Sequence, residues 1–414
     1  MRDRDLYAQI LGIARPWKVV DVKLDNESRE VVVTVSWAGG KARCPECKTE
    51  CGRHDHRTRR WRHLDTCQYR TILEADVSRV SCPDHGVLQV DVPWSEPGSR
   101  FTALFESLVI DWLKETSLSA VARHLGMTWD ELNGVMQRAV VRGLRRRKAQ
   151  EPEFLTVDET SFQKRHEYVT VVADMVSGGV LDVQDGHGFD SLCRFYRSLD
   201  PAVLEGIQGI CMDMSPAFIS ATMMCVPDAE AKIAFDKFHV AKNLGEAVNE
   251  VRKVEHRSLQ QSGRSLLART KYVWLQNPNN MKDATLAKLD LLKDSTLKTA
   301  RAWAIKEMAM SLWGYWSAGW ARKAWEKWYA WAIRSQLEPI KKAARTIKAH
   351  LYGILNAITM RVTNALAESL NSKIQRVKRL ACGFRNRDRF RAAIYFHLGK
   401  LNLYPEVLAT YTKS

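Results

Sequence analysis

Five of the chain's nine cysteines fall between Cys44 and Cys82, and three of them belong to two short knuckles. The first reads Cys44-Pro-Glu-Cys47 and the second Cys82-Pro-Asp-His85-Gly86. Each knuckle places two soft donors near one point, and the two together complete a tetrahedral zinc shell. That requirement fixes how the chain between them must return, which constrains the fold more than any composition does. The intervening segment TILEADVSRV is strand-like and can carry the second knuckle back to the first. Cys51, His54, His56, His63 and Cys67 are alternative donors for the last two positions. Buried free thiols would suit Cys67 but not the polar surroundings of Cys44 and Cys47. In a reducing compartment such clustering favours a metal over disulfides. With four protein ligands the shell is closed, so its zinc is structural.

The remaining length is ample for a larger core. With 414 residues, 45% of them hydrophobic, two to four domains are expected. Sixty-three Lys and Arg against 47 Asp and Glu leave a net charge of +16, which suits a polyanionic partner. The positive charge is concentrated in RGLRRRK, from Arg142 to Lys148, and in RVKRLACGFRNRDRFR, from Arg376 onward. Neither run carries the large apolar face of a membrane-surface helix. No run of about eighteen apolar residues is present to span a bilayer. The start, MRDRDLYAQILGIARPW, lacks the apolar region and cleavage site of a secretory signal. These observations predict a cytoplasmic protein with no membrane partner.

Texture changes along the chain. WKVVDVKLDNESREVVVTVSW alternates apolar and polar residues around a turn and reads as two strands. After the cysteine-rich module, the link VPWSEPGSR gives way to helical periodicity from Phe101. LSAVARHLGMTWDELNGVMQR, residues Leu118 to Arg138, fits a helix-turn-helix. Ala122 is the small residue between crossing helices, and Gly126 suits the left-handed turn. Val121, Leu125, Met127, Leu132 and Val135 supply the apolar contacts, and Thr128 can cap the second helix. That helix is expected to expose Trp129, Asn133, Gln137 and Arg138 to bases and phosphates, with Arg145, Arg146 and Arg147 along the backbone. An ordinary helical hairpin would share this packing.

Beyond the polar linker AQEPE, EFLTVD, EYVTVVAD and GVLDVQDG read as strands, followed by a helix and the strands GIQGICMD and AKIAFD. This order implies a mixed α/β sheet. From near His239 to about Leu355 the pattern is helical, and a last long helix is expected over 361–380. Metal-dependent phosphoryl transfer to DNA needs carboxylates that converge from separate elements around two divalent ions. Asp158 ends FLTV, Asp213 ends GIQGICM, and Glu368 lies in RVTNALAESLNSKIQRVKR. On that helix Asn364, Glu368 and Asn371 share a face, opposite Leu366, Leu370, Ile374 and Val377. Asp174, Asp182 and Asp236 are competing strand-end carboxylates. Singly, each could merely cap a turn; their order of strand, later strand and distal helix is that of an RNase H-like core.

CPEC with CPDHG, the helix-turn-helix, TVDETS, CMDMSPAF, FDKFHVAKN and NALAESLNSKIQRVKRLACGFRN together resemble the ISL-three type of insertion-sequence transposase over nearly the whole chain. The resemblance implies a multidomain α/β protein. It would join an RNase H-like core, interrupted by a helical insertion, to a zinc module and a helix-turn-helix. The boundaries read as 1–98, 99–150, 151–240, 241–355 and 356–414. It further implies an Asp-Asp-Glu triad on Asp158, Asp213 and Glu368 using Mg2+ or Mn2+, beside structural Zn2+. Its partners would be DNA, as terminal inverted repeats and target, and a second copy of the chain on paired ends, in the bacterial cytoplasm at the nucleoid. Lys373, Arg376, Lys378, Arg379, Arg385 and Arg387 are candidates for phosphate contacts. His85 departs from relatives that carry cysteine there, though histidine serves as well chemically. Asp236 and His239 in FDKFHV fit the family pattern; they either position DNA or fix the turn into the next helix. A nuclease, or a DNA-binding regulator on the same fold, is the alternative function.

Seven tryptophans lie between Trp303 and Trp331. Trp313, Trp316 and Trp320 are spaced as one helical stripe, which reads as packed core. The alternative is that one or two of the seven stack on an unpaired base.

Overall fold

The computed structural model describes residues 3–163, 167–186, 188–361 and 365–406; for residue 163 and for 365–368 it describes the backbone alone. Two compact units result, one from residues 1–148 together with 379–414, the other from 149–378.

The first unit opens with helix α1 (Asp3–Ile10) and a sheet of β1 (Trp17–Asp25), β2 (Glu30–Trp37), β3 (Ala42–Arg43), β4 (Glu50–Arg62), β5 (Arg70–Cys82) and β6 (Gly86–Gln89). Strand order is β1-β2-β5-β4-β3, with β6 also on β5, and only the β2–β5 pairing is parallel. Alternation in β2 and β5 buries Val31, Val33, Val35, Leu73, Ala75 and Val77 on one face. Trp17 and Trp61 close that face by meeting Trp94 edge-on, at ring separations of 4.8 and 5.5 Å.

Three helices follow: α2 (Ala103–Glu115), α3 (Leu118–Leu125) and α4 (Trp129–Arg146). Each begins on a hydroxyl cap: Thr102, Ser117 and Thr128. Thr128 and Glu131 form a reciprocal capping box. Gly126 ends α3 at φ 58°, the left-handed conformation that turns the chain toward α4. Val121, Met127, Leu132 and Val135 are buried as the sequence pattern required. The segment 379–406, including the helix Arg387–Leu398, also packs here, so the residues of the expected last part, 356–414, are divided between the two units.

The second unit contains β7 (Phe154–Gln163), β8 (Glu167–Asp174), β9 (Val180–Asp185), α5 (Phe189–Ser198), α6 (Pro201–Gly206), β10 (Gly209–Met212), α7 (Pro216–Cys225), α8 (Ala229–Lys232) and β11 (Ile233–Phe235). Sheet order is β11-β10-β7-β8-β9, an antiparallel meander flanked by two parallel strands, which is the RNase H-like arrangement. Then come α9 (Lys237–Gln261), α10 (Lys271–Leu275), α11 (Asp283–Lys293), α12 (Lys298–Ser311), α13 (Ala318–Arg334), α14 (Glu338–Ala349), α15 (Leu351–Met360) and α16 (Ala365–Leu380). One continuous apolar core joins sheet residues such as Leu155 and Ile210 to insertion residues such as Trp274, Trp325 and Trp328. The expected boundaries at 240 and 355 therefore fall inside helices α9 and α15 rather than between separate cores. Among the described residues, no helix is long and apolar enough to cross a membrane.

Candidate functional site

The two knuckles meet. The donor atoms of Cys44, Cys47, Cys82 and His85 all lie within 4.8 Å of one another, the one such group among the described residues. Cys47 Sγ is 3.6 Å from Cys82 Sγ, and His85 Nδ1 is 3.5 Å from Cys82 Sγ and 3.9 Å from Cys44 Sγ. A tetrahedron with metal–sulfur arms of about 2.3 Å has edges of about 3.8 Å, so the donor set fits zinc. Hydrogen bonding from Thr49 draws the Cys47 thiol down to about 6, favouring the thiolate a metal needs. The alternative donors stand apart from the group. Cys51 donates its thiol to the Thr49 carbonyl, and His54, His56 and Cys67 are exposed. His63 is buried against the Thr102 hydroxyl at 2.9 Å, and burial pushes its imidazole down to about 4.

The helix-turn-helix presents fewer free groups than its sequence suggests. Trp129, Gln137 and Arg145 are exposed, and Thr128 is occupied as a cap. Asn133 is instead buried, its amide donating to the Trp129 carbonyl at 2.8 Å. Arg138 bonds to Glu106, a carboxylate only 1% exposed, which also accepts from Arg142 at 3.2 Å and from Ser99 at 2.7 Å. Arg146 is held by the Tyr404 carbonyl and Glu406, and Arg147 donates to the Gly399 carbonyl at 3.3 Å. Of the arginines Arg138, Arg142, Arg145, Arg146 and Arg147, all but Arg145 thus serve internal packing. No local sequence signal marks the pairing of Glu106 with Arg142. Arg379, Arg385 and Arg387 are exposed in the same unit.

In the second unit the parallel register aligns three aspartates. Cys211 pairs with Thr156, so two residues on Asp213 comes level with Asp158. Met212 pairs with Phe235, so Asp236 is level with Asp213 on the next strand. Asp174 lies opposite Leu155 and Asp182 opposite Val172, away from this row. Burial raises the Asp158 carboxyl above its ordinary range, and the neighbouring Asp213 charge adds to the rise. Opposing it are the Glu159 amide at 2.7 Å, a hydrogen bond from the Asn371 amide to Oδ2, and the charge of His239. Asp213 accepts from the Ser215 amide at 3.0 Å. Asp236 caps α9, accepting from the Phe238 amide at 2.8 Å, with His239 Nε2 at 3.7 Å.

Asn371 places helix α16 beside Asp158, and Leu370, Ile374 and Val377 bury its other face. Glu368 sits one turn before Asn371 in that helix; its side chain, like Asn364 and the side chain of Leu366, is outside the described residues. Lys373 and Arg376 are exposed, whereas Lys378 donates to the Ser161 carbonyl at 2.7 Å and ties the helix to β7.

The expected tryptophan stripe does not form. Leu312–Gly314 is a 3-10 turn and α13 starts only at Ala318, so Trp313, Trp316 and Trp320 share no helix. Trp325 and Trp328 are core residues, while Trp316 and Trp320 are 78% and 65% exposed.

A zinc-pinned module, a helix-turn-helix and an RNase H-like sheet with an acidic row define a DNA-processing enzyme of the transposase class. Comparison with known proteins agrees. Residues 155–394 match a transposase family model, 90–140 the helix-turn-helix domain of transposase family ISL3, and 40–85 the zinc finger of the IS204/IS1001/IS1096/IS1165 transposases. The chain is 26% identical over 352 residues to the transposase for insertion sequence element IS1001 of Bordetella parapertussis, covering 84% of this chain and 86% of that one. It is 25% identical over 417 residues to the transposase for insertion sequence element IS1557 of Mycobacterium tuberculosis, covering 93% of each. The chain belongs to the ISL3, or ISL-three, family of insertion-sequence transposases.

Proposed function

We propose that this transposase binds the terminal inverted repeats of its element and cuts and joins strands by in-line phosphoryl transfer at Asp158, Asp213 and Glu368. The observation that carries the reading is the level placement of Asp158 and Asp213 on adjacent parallel strands, with α16 packed alongside through Asn371. Two carboxylates crowded into a half-buried site fit divalent cations, because a cation offsets both their burial and their mutual repulsion. A bound pair of Mg2+ or Mn2+ ions would supply charge stabilisation at the attacking and leaving oxygens. The chain's part is to hold and orient: Asn371 and the Glu159 amide fix Asp158, the Ser215 amide fixes Asp213, and Lys378 anchors the helix bearing Glu368. Water opens the phosphodiester in line, and the freed 3′-hydroxyl then attacks target DNA.

In this reading the module 1–98 and the helix-turn-helix 99–150 hold the ends, with Trp129, Gln137, Arg145, Arg379, Arg385 and Arg387 facing DNA. Lys373 and Arg376 take phosphates near the cut, and two copies act on paired ends. The test is cleavage of duplexes carrying the element's own ends, comparing wild type with Asp213→Asn. Loss of cleavage with retained end binding is expected; equal cleavage removes the assignment. Joining of pre-cleaved ends separates a transposase from a nuclease on the same fold.

A further inference from the structure

We infer that a cavity beside the acidic row receives one unpaired nucleobase of the transposon end. This rests on the reading of the second unit as the cutting core. The cavity has a volume of about 760 Å³ and a largely apolar lining that includes Ala241, Met310 and Ile358. That is the size and lining of a small-molecule pocket rather than of a duplex groove. One wall is the start of α9, at Asp236 and Lys237. The Asp236 amide donates to the Met212 carbonyl, immediately before Asp213, so a group in the cavity adjoins the proposed cutting site.

The rim carries the chemistry. Trp316 and Phe238, 78% and 54% exposed, border the opening, and the Arg361 guanidinium lies 4.0 Å from the Trp316 ring centre. Trp325 and Trp328, from the same tryptophan run, are fully enclosed, whereas the 3-10 turn Leu312–Gly314 leads Trp316 outward. The buried charges nearby are already engaged. Lys306 donates to the Trp274 carbonyl at 3.0 Å and pairs with Glu307 at 2.7 Å, and Asp236 accepts from the Phe238 amide. What faces outward is an aromatic surface with Arg361 and Lys237 beside it. A stacked base with its negative phosphate matches that pairing, and stacking on the indole offsets the cost of leaving the duplex.

The experiment uses the full chain and duplexes of the element's end, with a single abasic site moved through the positions around the cut. Trp316→Ala is expected to lower cleavage of the intact duplex by about 5- to 150-fold, the worth of one base stack. An abasic site at the extruded position should restore it, because nothing then has to be unstacked. Trp320→Ala, exposed but away from the cavity, should cleave as wild type, and matching melting curves will show that both variants fold. Wild-type cleavage by Trp316→Ala overturns the inference, and so does a loss equal on every abasic duplex. Cleavage by Asp213→Asn would instead overturn the reading on which the inference rests.

Discussion

Removing the zinc from the first unit should loosen the knuckles without dissolving the sheet. The ion closes the loop from Cys47 to Cys82, a separation of 35 residues. Treated as a cross-link, a loop of that length is worth about 4 kcal/mol through the entropy it withholds from the unfolded chain. Around the knuckles only a small cluster is buried, namely Ala42, Cys44, Cys51, Val80 and Cys82, and two of its members are themselves ligands. The larger core of Trp17, Val33, Trp61, Leu73 and Trp94 does not touch the metal donors and should persist. For a unit of this size, about 4 kcal/mol lowers the melting temperature by roughly 10 °C. Calorimetry with and without a zinc chelator, with bound zinc measured in parallel, reads both quantities. Cys82→Ser should reproduce the chelated state, and Cys67→Ser, outside the donor group, should melt as wild type. The reasoning fails if chelation leaves the transition where it was, or if Cys67→Ser costs as much as Cys82→Ser.

Asp158→Asn should abolish cleavage yet make the metal-free protein more stable at neutral pH. The folded-state carboxyl is raised, so the folded chain holds its proton more tightly than the unfolded one; the cost of the charged form is absent below the ordinary value near 3.8 and develops as pH rises through the folded value. Thermal melts of both proteins across pH should therefore converge in acid, and a wild type as stable as Asp158→Asn at neutral pH contradicts the burial argument. Glu106→Gln should destabilise the first unit by about 3 kcal/mol, because it leaves the 6% exposed Arg142 with less of its buried counter-charge. Chemical denaturation measures the loss, and an unchanged midpoint would show that Glu96 alone suffices for Arg142.

How much of this was legible in the sequence depended on the range of the interaction. Caps and turns are local, so Thr128, Gly126 and the apolar positions of the helix-turn-helix could be read directly. The zinc donors were legible because each knuckle carries its own pair, although only the folded positions, with the Cys51 thiol on the Thr49 carbonyl and Cys67 outside the donor group, exclude those two. Strand β4 carries no readable strand signal because its burial pattern is almost wholly exposed, and charged residues conceal the alternation that marks a half-buried strand. The tryptophan stripe misled for the opposite reason. Spacing of three and four is necessary for a shared helical face, but a 3-10 turn at Leu312–Gly314 breaks the phase before Trp316.

The acidic row and the basic runs show the same limit from two sides. Asp158, Asp213 and Asp236 each follow a short apolar run, so each reads as a strand-end carboxylate, although β7 continues past Asp158 to Gln163. That they lie level follows only from the parallel register of β7, β10 and β11, which no local pattern encodes. The arginines of α4 looked equivalent on paper, yet Glu106 and Glu96 claim Arg138 and Arg142 while Arg145 stays exposed. A buried carboxylate must be paired, and the nearest guanidinium on a packed helix meets that need first. Net charge therefore suits a polyanionic partner, whereas burial of the opposing acids decides which cations remain to meet it.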